Sequence, residues 1–248
     1  MSATLLDVTA VSKHFLGLKA VDEVSLRVSS GEIVSIIGPN GAGKTTFFNL
    51  LTGQLAPTSG QVRLRGEQIN RLAPHQRAQL GMGRTFQISK PLIALTALEN
   101  VMIGAFMRHR KLSVARDKAI AVLRTVGLIQ HARRRAGDLT LSERRRLEVA
   151  RALALEPEIL LLDEVMAGLN QSEVGQAIDL LKSLHATGLT FLIIEHNLKV
   201  VRAFSERVVV LDRGRLIAEG TAEQILNSPE VVKAYLGDGH KVEELGVL

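Results

Sequence analysis

One segment of this chain carries residue types at a spacing that directly indicates chemistry. Residues 38–46 fit the phosphate-binding loop pattern G-x-x-x-x-G-K-[ST]. Such a loop surrounds a polyphosphate with backbone N–H groups and points a helix N-terminus at it, so the pattern predicts a nucleotide site. The predicted binding residues are Gly38, Pro39, Asn40, Gly41, Ala42, Gly43, Lys44, Thr45 and Thr46.

Individual residues of this loop have distinct predicted roles. Lys44 is expected to reach the β- and γ-phosphates, and the Thr45 hydroxyl is expected to bind Mg²⁺. The glycines allow a close approach and backbone conformations that a Cβ would hinder. A chance glycine-rich turn is the alternative, but an apolar strand at 33–37 and a helical segment at 46–51 flank the loop in the order that the motif requires.

Two adjacent carboxylates form a second candidate site. Residues 159–162 are a continuous apolar run, which indicates a strand buried on both faces, and Asp163 and Glu164 follow it directly. We expect Asp163 to hold Mg²⁺, directly or through water, and Glu164 to act as general base on the attacking water. The alternative is a strand that ends in two solvated acids, and the phosphate loop in the same chain favours the catalytic interpretation.

Two further polar residues lie where predicted elements end. His196 follows the apolar strand 191–194. A polar side chain at the carboxyl end of such a strand points into the ligand crevice, where we expect His196 to donate a hydrogen bond to the γ-phosphate. Gln87 lies at the start of a helical block, and we expect it to contact both Mg²⁺ and water there.

Composition narrows the classes of function. The 248 residues are 46% hydrophobic and lack cysteine, so the chain is globular and has neither disulfides nor thiolate metal sites. The net charge is +6, but aromatic residues are only 3%, which weighs against nucleic acid as a partner. We interpret the arginine runs at 133–135 and 144–146 as solvated helix ends and faces. No signal peptide and no apolar run of about 20 residues is apparent, so we expect any membrane association to come through a partner or through the protein surface.

The apolar pattern predicts a strand-rich α/β core that a helical block interrupts. Half-buried strands are predicted at 5–11, 24–28 and 61–65, and a hairpin at 208–218. Helices are predicted at 113–126, 142–155 and 222–236, and a capping box at Thr96 and Glu99 indicates another helix start. We therefore predict a core of residues 1–87 and 156–248 with a helical subdomain at 88–155.

Taken in order, the motifs resemble those of the ATP-binding subunits of ABC transporters. They correspond to that family's Walker A loop, Gln loop, signature helix from 139, Walker B strand, D-loop at 167–170 and switch histidine. The resemblance implies an α/β fold, in which a P-loop NTPase (RecA-like) core carries an antiparallel β subdomain and an inserted α-helical subdomain. It also implies a head-to-tail dimer that holds two ATP molecules with Mg²⁺, each between the phosphate loop of one subunit and the signature of the other. Phe15 lies where the family stacks an aromatic on adenine, and a core phenylalanine is the alternative.

The signature departs from the family's usual Leu-Ser-Gly-Gly-Gln. It reads Leu139, Thr140, Leu141, Ser142 and Glu143, so both glycines are replaced. In one interpretation Thr140 contacts the opposing ATP, and in the other Thr140 and Glu143 form a capping box. The two need not exclude each other. A carboxylate near a triphosphate costs Coulomb energy, so we expect weaker dimer closure than a Gly-Gly signature gives.

Several phrases are similar to those of branched-chain amino acid uptake ATPases of the LivG type, among them 17–21, 83–87 and 194–201. That resemblance implies integral membrane permease subunits and a second ATP-binding subunit, identical or related. It also implies a binding protein that acts indirectly, and a peripheral position at the cytoplasmic face of the inner membrane. ATPases of urea or amide importers and of lipopolysaccharide export share much of the pattern. A regulatory module that binds nucleotide without hydrolysing it is the remaining alternative.

Overall fold

The computed structural model describes residues 3–85, 92–228 and 231. The chain divides into two compact units: Met1–Arg77 with Thr190–Leu248, and Ala78–Leu189. The subdomain boundaries predicted near residues 87 and 156 remain a prediction.

Strands and helices alternate along the described residues. In chain order they are β1 (Thr4–Phe15), β2 (Leu18–Ser29), β3 (Ile33–Ile37), α1 (Lys44–Leu51), β4 (Ser59–Leu64), β5 (Glu67–Gln68), α2 (Pro74–Gln79), β6 (Met82–Arg84), α3 (Ala97–Phe106), α4 (Leu112–Thr125), α5 (Leu141–Leu153), β7 (Ile159–Asp163), α6 (Gln171–His185), β8 (Thr190–Ile194), α7 (Leu198–Phe204), β9 (Arg207–Asp212), β10 (Arg215–Gly220) and α8 (Ala222–Leu226). Short 3₁₀ turns lie at Ile129–His131 and Ala136–Asp138.

The first unit contains two kinds of sheet. One is antiparallel, in the order β2-β1-β4-β5. In the other, β3 lies between β8 and β9 and is parallel to both, while β10 pairs antiparallel with β9. All five residues of β3 and of β8 are buried, as expected for strands covered on both faces. The predicted hairpin at 208–218 is confirmed.

The second unit is mainly helical. The strand β6 pairs in parallel with β7, whose five residues are all buried. The helices α3, α5 and α6 each begin at a capping box, in which the N-cap side chain accepts from the N3 backbone and the N3 glutamate accepts from the N-cap backbone. The predicted capping box at Thr96 and Glu99 is thus confirmed, and so is the α/β class of the fold.

The structure differs from the sequence-based elements at several points. The helix after the phosphate loop begins at Lys44 rather than at residue 46, because Gly43 is its N-cap. The helices α2, α6 and α7 and the short strands β5 and β6 have no counterpart among the predicted elements. At the carboxyl end α8 stops at Leu226, and most of the predicted helix 222–236 lies outside the described residues.

Within the described part of the chain, no helix is both long enough and apolar enough to cross a membrane.

Candidate nucleotide-binding and hydrolysis site

The phosphate loop connects β3 to α1 in the first unit. The first bond of the helix runs from the Phe47 N–H to the Gly43 carbonyl at 2.8 Å, and no side chain caps the helix start. The first turn of α1 also contains no acidic residue. A helix N-terminus without a cap or a carboxylate presents its amides and its dipole to an anion, so this end of α1 is suited to phosphate.

Two glycines of the loop are required by contacts with neighbouring backbone. Gly38 has φ 151°, and a Cβ there would overlap the carbonyl oxygen of Leu211. Gly43 has φ 97°, and its Cβ would overlap the carbonyl oxygen of Ala20. Both conformations and both close approaches favour glycine, which explains two of the motif's fixed positions.

The Lys44 ammonium lies inside the loop itself. Its Nζ donates to the carbonyls of Gly38 at 2.6 Å and Pro39 at 2.9 Å, and the residue is 6% exposed. An ammonium gains when anionic phosphate oxygens replace neutral carbonyl acceptors, since hydrogen bonds between two charged groups are the stronger kind. The position therefore fits the predicted role of Lys44 at the phosphates, which stays a prediction.

Phe15 ends β1 at the tip of the β1–β2 hairpin. Its side chain is 42% exposed, so the alternative of a core phenylalanine is disfavoured. The Lys13 Nζ lies 5.2 Å from the ring centroid. An exposed ring that a cation approaches from one side can still present a face to a planar base.

His196 lies between β8 and α7 and is exposed. The strands β3 and β8 are parallel, and Ile36 is paired with Ile194. Gly38, which begins the phosphate loop, follows Ile36 by two residues, and His196 follows Ile194 by two residues. The carboxyl ends of both strands thus place His196 and Gly38 at one edge of the sheet. Asn197 follows as N-cap of α7, with its Oδ1 accepting from the Lys199 N–H at 3.0 Å, and this fixes the start of that helix.

Asp163 lies at the end of β7 in the second unit and is fully buried. Its Oδ2 accepts from Nη2 of Arg84 at 3.1 Å, and its backbone N–H donates to the Thr85 hydroxyl at 3.3 Å. Burial lowers the pKa of the Arg84 guanidinium, and the charge and hydrogen bond of Asp163 oppose that shift. Sequence reasoning did not find Arg84, because the partners are 79 positions apart.

Glu164 follows Asp163 in a left-handed backbone conformation with φ 50°. Such a conformation is uncommon for a residue with a Cβ, and strain of this kind is concentrated at functional sites. The carboxylate is half-buried, so it keeps contact with solvent beside a buried aspartate. These properties fit the predicted base, and the assignment stays a prediction.

The side-chain oxygens predicted as magnesium ligands fit an ion that is coordinated by few protein groups. No cluster of three or more potential metal ligands exists among the residues that the structure describes. Mg²⁺ is usually bound by one or two protein oxygens together with phosphates and waters, so the Asp163 carboxylate and the exposed Thr45 hydroxyl are suitable donors. Gln87, the third predicted contact, lies outside the described residues.

The signature segment adopts the capping box that the sequence allowed. The Glu143 N–H donates to the Thr140 hydroxyl at 3.2 Å, and the Thr140 N–H donates to Oε2 of Glu143 at 2.8 Å. The other carboxylate oxygen lies 3.2 Å from His131 Nε2. Burial raises the pKa of Glu143, but the Thr140 hydrogen bonds with the charges of His131 and Arg134 outweigh it, so the net pKa is lowered. The carboxylate is therefore folded back and partly compensated, which reduces the Coulomb cost expected for a nearby triphosphate.

Helix α5 makes contacts within its own unit through Leu141 at its start and through the arginines at 144–146. Leu141 is 45% exposed, and its Cδ2 would lie 3.0 Å from a Cβ at Gly168, so the signature touches the D-loop of the same chain. The interpretation of 144–146 as a solvated face was wrong, because all three side chains are partly buried. Arg144 Nη2 donates to the Gly137 carbonyl at 2.6 Å, and Arg145 pairs with Glu148 at 3.6 Å.

Comparison with family models gives two matches. A model described as ABC transporter matches residues 21–167. A second, described as branched-chain amino acid ATP-binding cassette transporter, matches residues 215–241. The first match includes the phosphate loop, Asp163 and Glu164, and neither match includes Phe15 or His196.

Similar proteins and structures agree with these matches. The chain is 41% identical to the high-affinity branched-chain amino acid transport ATP-binding protein LivG of Escherichia coli K12, over 96% of this chain and 100% of the relative. It is 37% identical to the lipopolysaccharide export system ATP-binding protein LptB of Haemophilus influenzae, over 96% of this chain and 100% of the relative. A nucleotide-free ATP-binding cassette of an ABC transporter superposes with a TM-score of 0.88 at 32% identity, covering 95% of this chain and 100% of that one. A dimeric ATP-binding cassette bound to ADP and phosphate superposes with a TM-score of 0.80 at 29% identity, covering 88% of this chain and 99% of that one.

Proposed function

The chain belongs to the ABC transporter family as an ATP-binding subunit whose ATPase activity is coupled to transport, and from that premise we propose that it powers the import of branched-chain amino acids. The observation that carries the choice of substrate is the 41% identity to LivG over 96% of the chain, together with the family match at 215–241. Both the core and the carboxyl end thus resemble the same kind of transporter.

Nucleotide binding is assigned to the first unit. The amides at the start of α1 and the Lys44 ammonium hold the phosphates, and Phe15 stacks on the adenine. Lys44 leaves its present carbonyl partners, Gly38 and Pro39, for phosphate oxygens. His196, exposed at the same sheet edge as Gly38, donates to the γ-phosphate.

Hydrolysis is assigned to Glu164 and Gln87, with Mg²⁺ held by the residues already predicted for it. Mg²⁺, when bound, neutralises charge on the phosphates, and Thr45, Gln87 and Asp163 are the residues that would hold it. The half-buried carboxylate of Glu164 accepts a proton from the attacking water. Gln87 orients that water. The buried partner Arg84 orients the Asp163 carboxylate through a hydrogen bond at 3.1 Å.

The active form is a dimer in which Leu139, Thr140, Leu141, Ser142 and Glu143 contact the ATP of the opposing subunit. The partner is a second ATP-binding subunit, identical or related. The Thr140 hydroxyl is exposed at the start of α5, so a phosphate oxygen of the opposing subunit's ATP can reach it.

Restoring glycine at Leu141 and Ser142 is expected to strengthen ATP-dependent dimer closure about threefold to tenfold, since close approach of the helix N-terminus strengthens its bonds to phosphate. The same change should cost roughly 1 kcal/mol of stability per glycine in α5. Dimerisation with the partner subunit is measured by light scattering in a Glu164→Gln background that retains ATP.

Helix α4 supplies a matched control, because it also begins with leucine and serine, Leu112 and Ser113. Glycines at those two positions remove the same side chains from the same helix positions and should leave dimerisation unchanged. Equal dimer affinity of the signature variant and the unmodified chain would refute the proposed weakening.

Membrane permease subunits are the partners that couple hydrolysis to transport, and they hold the chain peripherally at the cytoplasmic face. We assign their docking surface to α3, its flanking loop and the start of α4, which carry exposed large apolar side chains. These are Leu92 at 43%, Ile93 at 64%, Ile103 at 44%, Phe106 at 41%, Met107 at 38%, Leu112 at 64% and Val114 at 43% exposed. Exposed apolar groups in such number indicate a protein interface.

Phe106→Asp is expected to weaken binding to permease subunits in nanodiscs by about tenfold or more, because an aromatic anchor in an interface is replaced by a charge. Leu18→Asp, at an exposed apolar position of the first unit, is the control and should bind normally. Phe106→Asp binding as tightly as the unmodified chain would remove α3 from the interface.

The substrate is tested by reconstituting the chain with its permease and binding-protein subunits in proteoliposomes. Leucine, isoleucine or valine supplied with the binding protein should stimulate ATP hydrolysis and accumulate inside. The identity of 37% to LptB favours a second candidate, export of a lipid-linked saccharide. Stimulation by lipopolysaccharide without amino acid uptake would favour that candidate and refute import.

A further inference from the structure

Two hairpins of the first unit hold the phosphate loop through backbone contacts. One is the β1–β2 hairpin, which carries Phe15 at its tip, and the other is the β9–β10 hairpin. The Asp22 N–H donates to the Gly214 carbonyl at 2.8 Å, and the Gly214 N–H donates to the Ala42 carbonyl at 2.9 Å. This chain of bonds runs from one hairpin, through the turn of the other, into the loop itself.

Side chains close the same junction. Arg215 donates to Oδ2 of Asp22 from Nε at 2.9 Å and from Nη2 at 2.7 Å, and Lys19 Nζ lies 3.2 Å from Oδ1. The Asp22 side chain is 7% exposed, whereas that of Arg215 is 68% exposed. The Arg215 hydrogen bonds, followed by those of Lys19, lower the pKa of Asp22, so the carboxylate is ionised at neutral pH.

We propose that the ion pair between Asp22 and Arg215 is a positioning element, which fixes the Phe15 hairpin relative to the phosphate loop. Both ends of one nucleotide must be bound at once: the adenine by Phe15 on the first hairpin and the phosphates by the loop. The ion pair joins the two hairpins next to the loop, so it sets the separation of these two contacts. Neither residue touches the nucleotide in this account, which rests on the proposed adenine role of Phe15.

Loss of the ion pair should weaken binding of the adenine base and leave binding of the phosphates nearly unchanged. The loop keeps its own contacts when the ion pair is lost, namely those of Gly214 with Ala42 and of Lys44 with Gly38. Binding of a ligand that lacks adenine should therefore be retained. Binding of a full nucleotide should weaken, because the Phe15 hairpin is held less firmly.

The test compares ADP with inorganic pyrophosphate by titration calorimetry of the full chain with Mg²⁺. Arg215→Met should weaken ADP binding about threefold to fivefold, the range of a partly exposed ion pair, and should change pyrophosphate binding by less than about twofold. Arg215→Lys, which retains the charge opposite Asp22, should recover most of the affinity.

Arg213→Met is the matched control, because it removes the same charge from the same hairpin. The Arg213 side chain is 93% exposed and lies 3.9 Å from Asp212 rather than beside Asp22. It should change ADP and pyrophosphate binding by the same small factor. A change for Arg215→Met no larger than this control, or an equal loss of ADP and pyrophosphate binding, would overturn the proposal.

A double variant separates this proposal from the function on which it rests. Phe15→Ala should weaken ADP binding, and adding Arg215→Met should weaken it little further, because both changes remove one contact. If Phe15→Ala weakens ADP binding and Arg215→Met does not, the positioning role is wrong and the adenine role stands. If Phe15→Ala leaves ADP binding unchanged, the adenine role is wrong and the positioning role fails with it.

Discussion

Replacing Glu164 by glutamine is expected to slow ATP hydrolysis about 10²- to 10⁴-fold, the contribution typical of a positioned general base. Glutamine has the same size and can occupy the same left-handed backbone position, φ 50°, so the turn after β7 should be retained. Its amide cannot accept the proton of the attacking water. Single-turnover hydrolysis of ATP by the dimeric, permease-bound complex measures the effect on the chemical step.

Nucleotide binding distinguishes a catalytic from a structural effect of this substitution. ATP affinity of Glu164→Gln should stay within about twofold, because the change leaves the phosphate loop untouched. Glu67→Gln, at an exposed position of β5, is the control and should hydrolyse ATP normally. Equal rates for Glu164→Gln and the unmodified chain would refute the assignment of Glu164 and favour the regulatory, non-hydrolysing alternative.

Local patterns in the sequence predicted the phosphate-binding half of the site well. A buried parallel strand produces a continuous apolar run, and a phosphate loop requires glycine where backbone approaches backbone, as at Gly38 and Gly43. Both signals lie within a few residues of the feature they specify. The strand β3, the helix α1 and the strand β7 could therefore be placed to within two residues.

Helix α6 was missed although its start signal is present. Asn170 caps the helix, and Glu173 completes the capping box through its carboxylate. In the sequence Asn170 belongs to the D-loop motif, and that motif does not indicate that the same residue is the N-cap of a helix. One residue can end a functional loop and also begin a helix, because an exposed N-cap belongs to the loop by position and caps the helix through its side chain.

Long-range ion pairs could not be predicted from the sequence. Asp22 and Arg215 are 193 positions apart, and each by itself resembles an ordinary surface charge. The partial burial of the arginines at 144–146 is equally invisible locally, because it depends on which neighbours, such as Gly137, approach α5. Burial and pairing of charges are decided by tertiary structure, where the sequence pattern carries no signal.

Arg84→Met is expected to lower the free energy of unfolding by about 3 kcal/mol, because it removes the guanidinium from a buried, hydrogen-bonded ion pair with Asp163. The Asp163 side chain has no exposed surface and that of Arg84 is 8% exposed, so solvent cannot replace the lost partner. Urea unfolding of the nucleotide-free chain measures the change. Arg27→Met is the control, since Arg27 pairs with Asp7 at 3.5 Å with 79% of its side chain exposed, and it should cost less than about 1 kcal/mol.

A double-mutant cycle then shows whether the effect belongs to the pair. Asp163→Asn alone removes the carboxylate charge that faces the Arg84 guanidinium and should also destabilise the chain. The double variant removes both members of the ion pair, so its destabilisation should be clearly smaller than the sum of the two single changes. Additive effects, or a loss for Arg84→Met no larger than for Arg27→Met, would show that Arg84 does not stabilise the Asp163 carboxylate. A coupled loss would mean that the residue expected to hold Mg²⁺ is held in place by a guanidinium that no motif predicts.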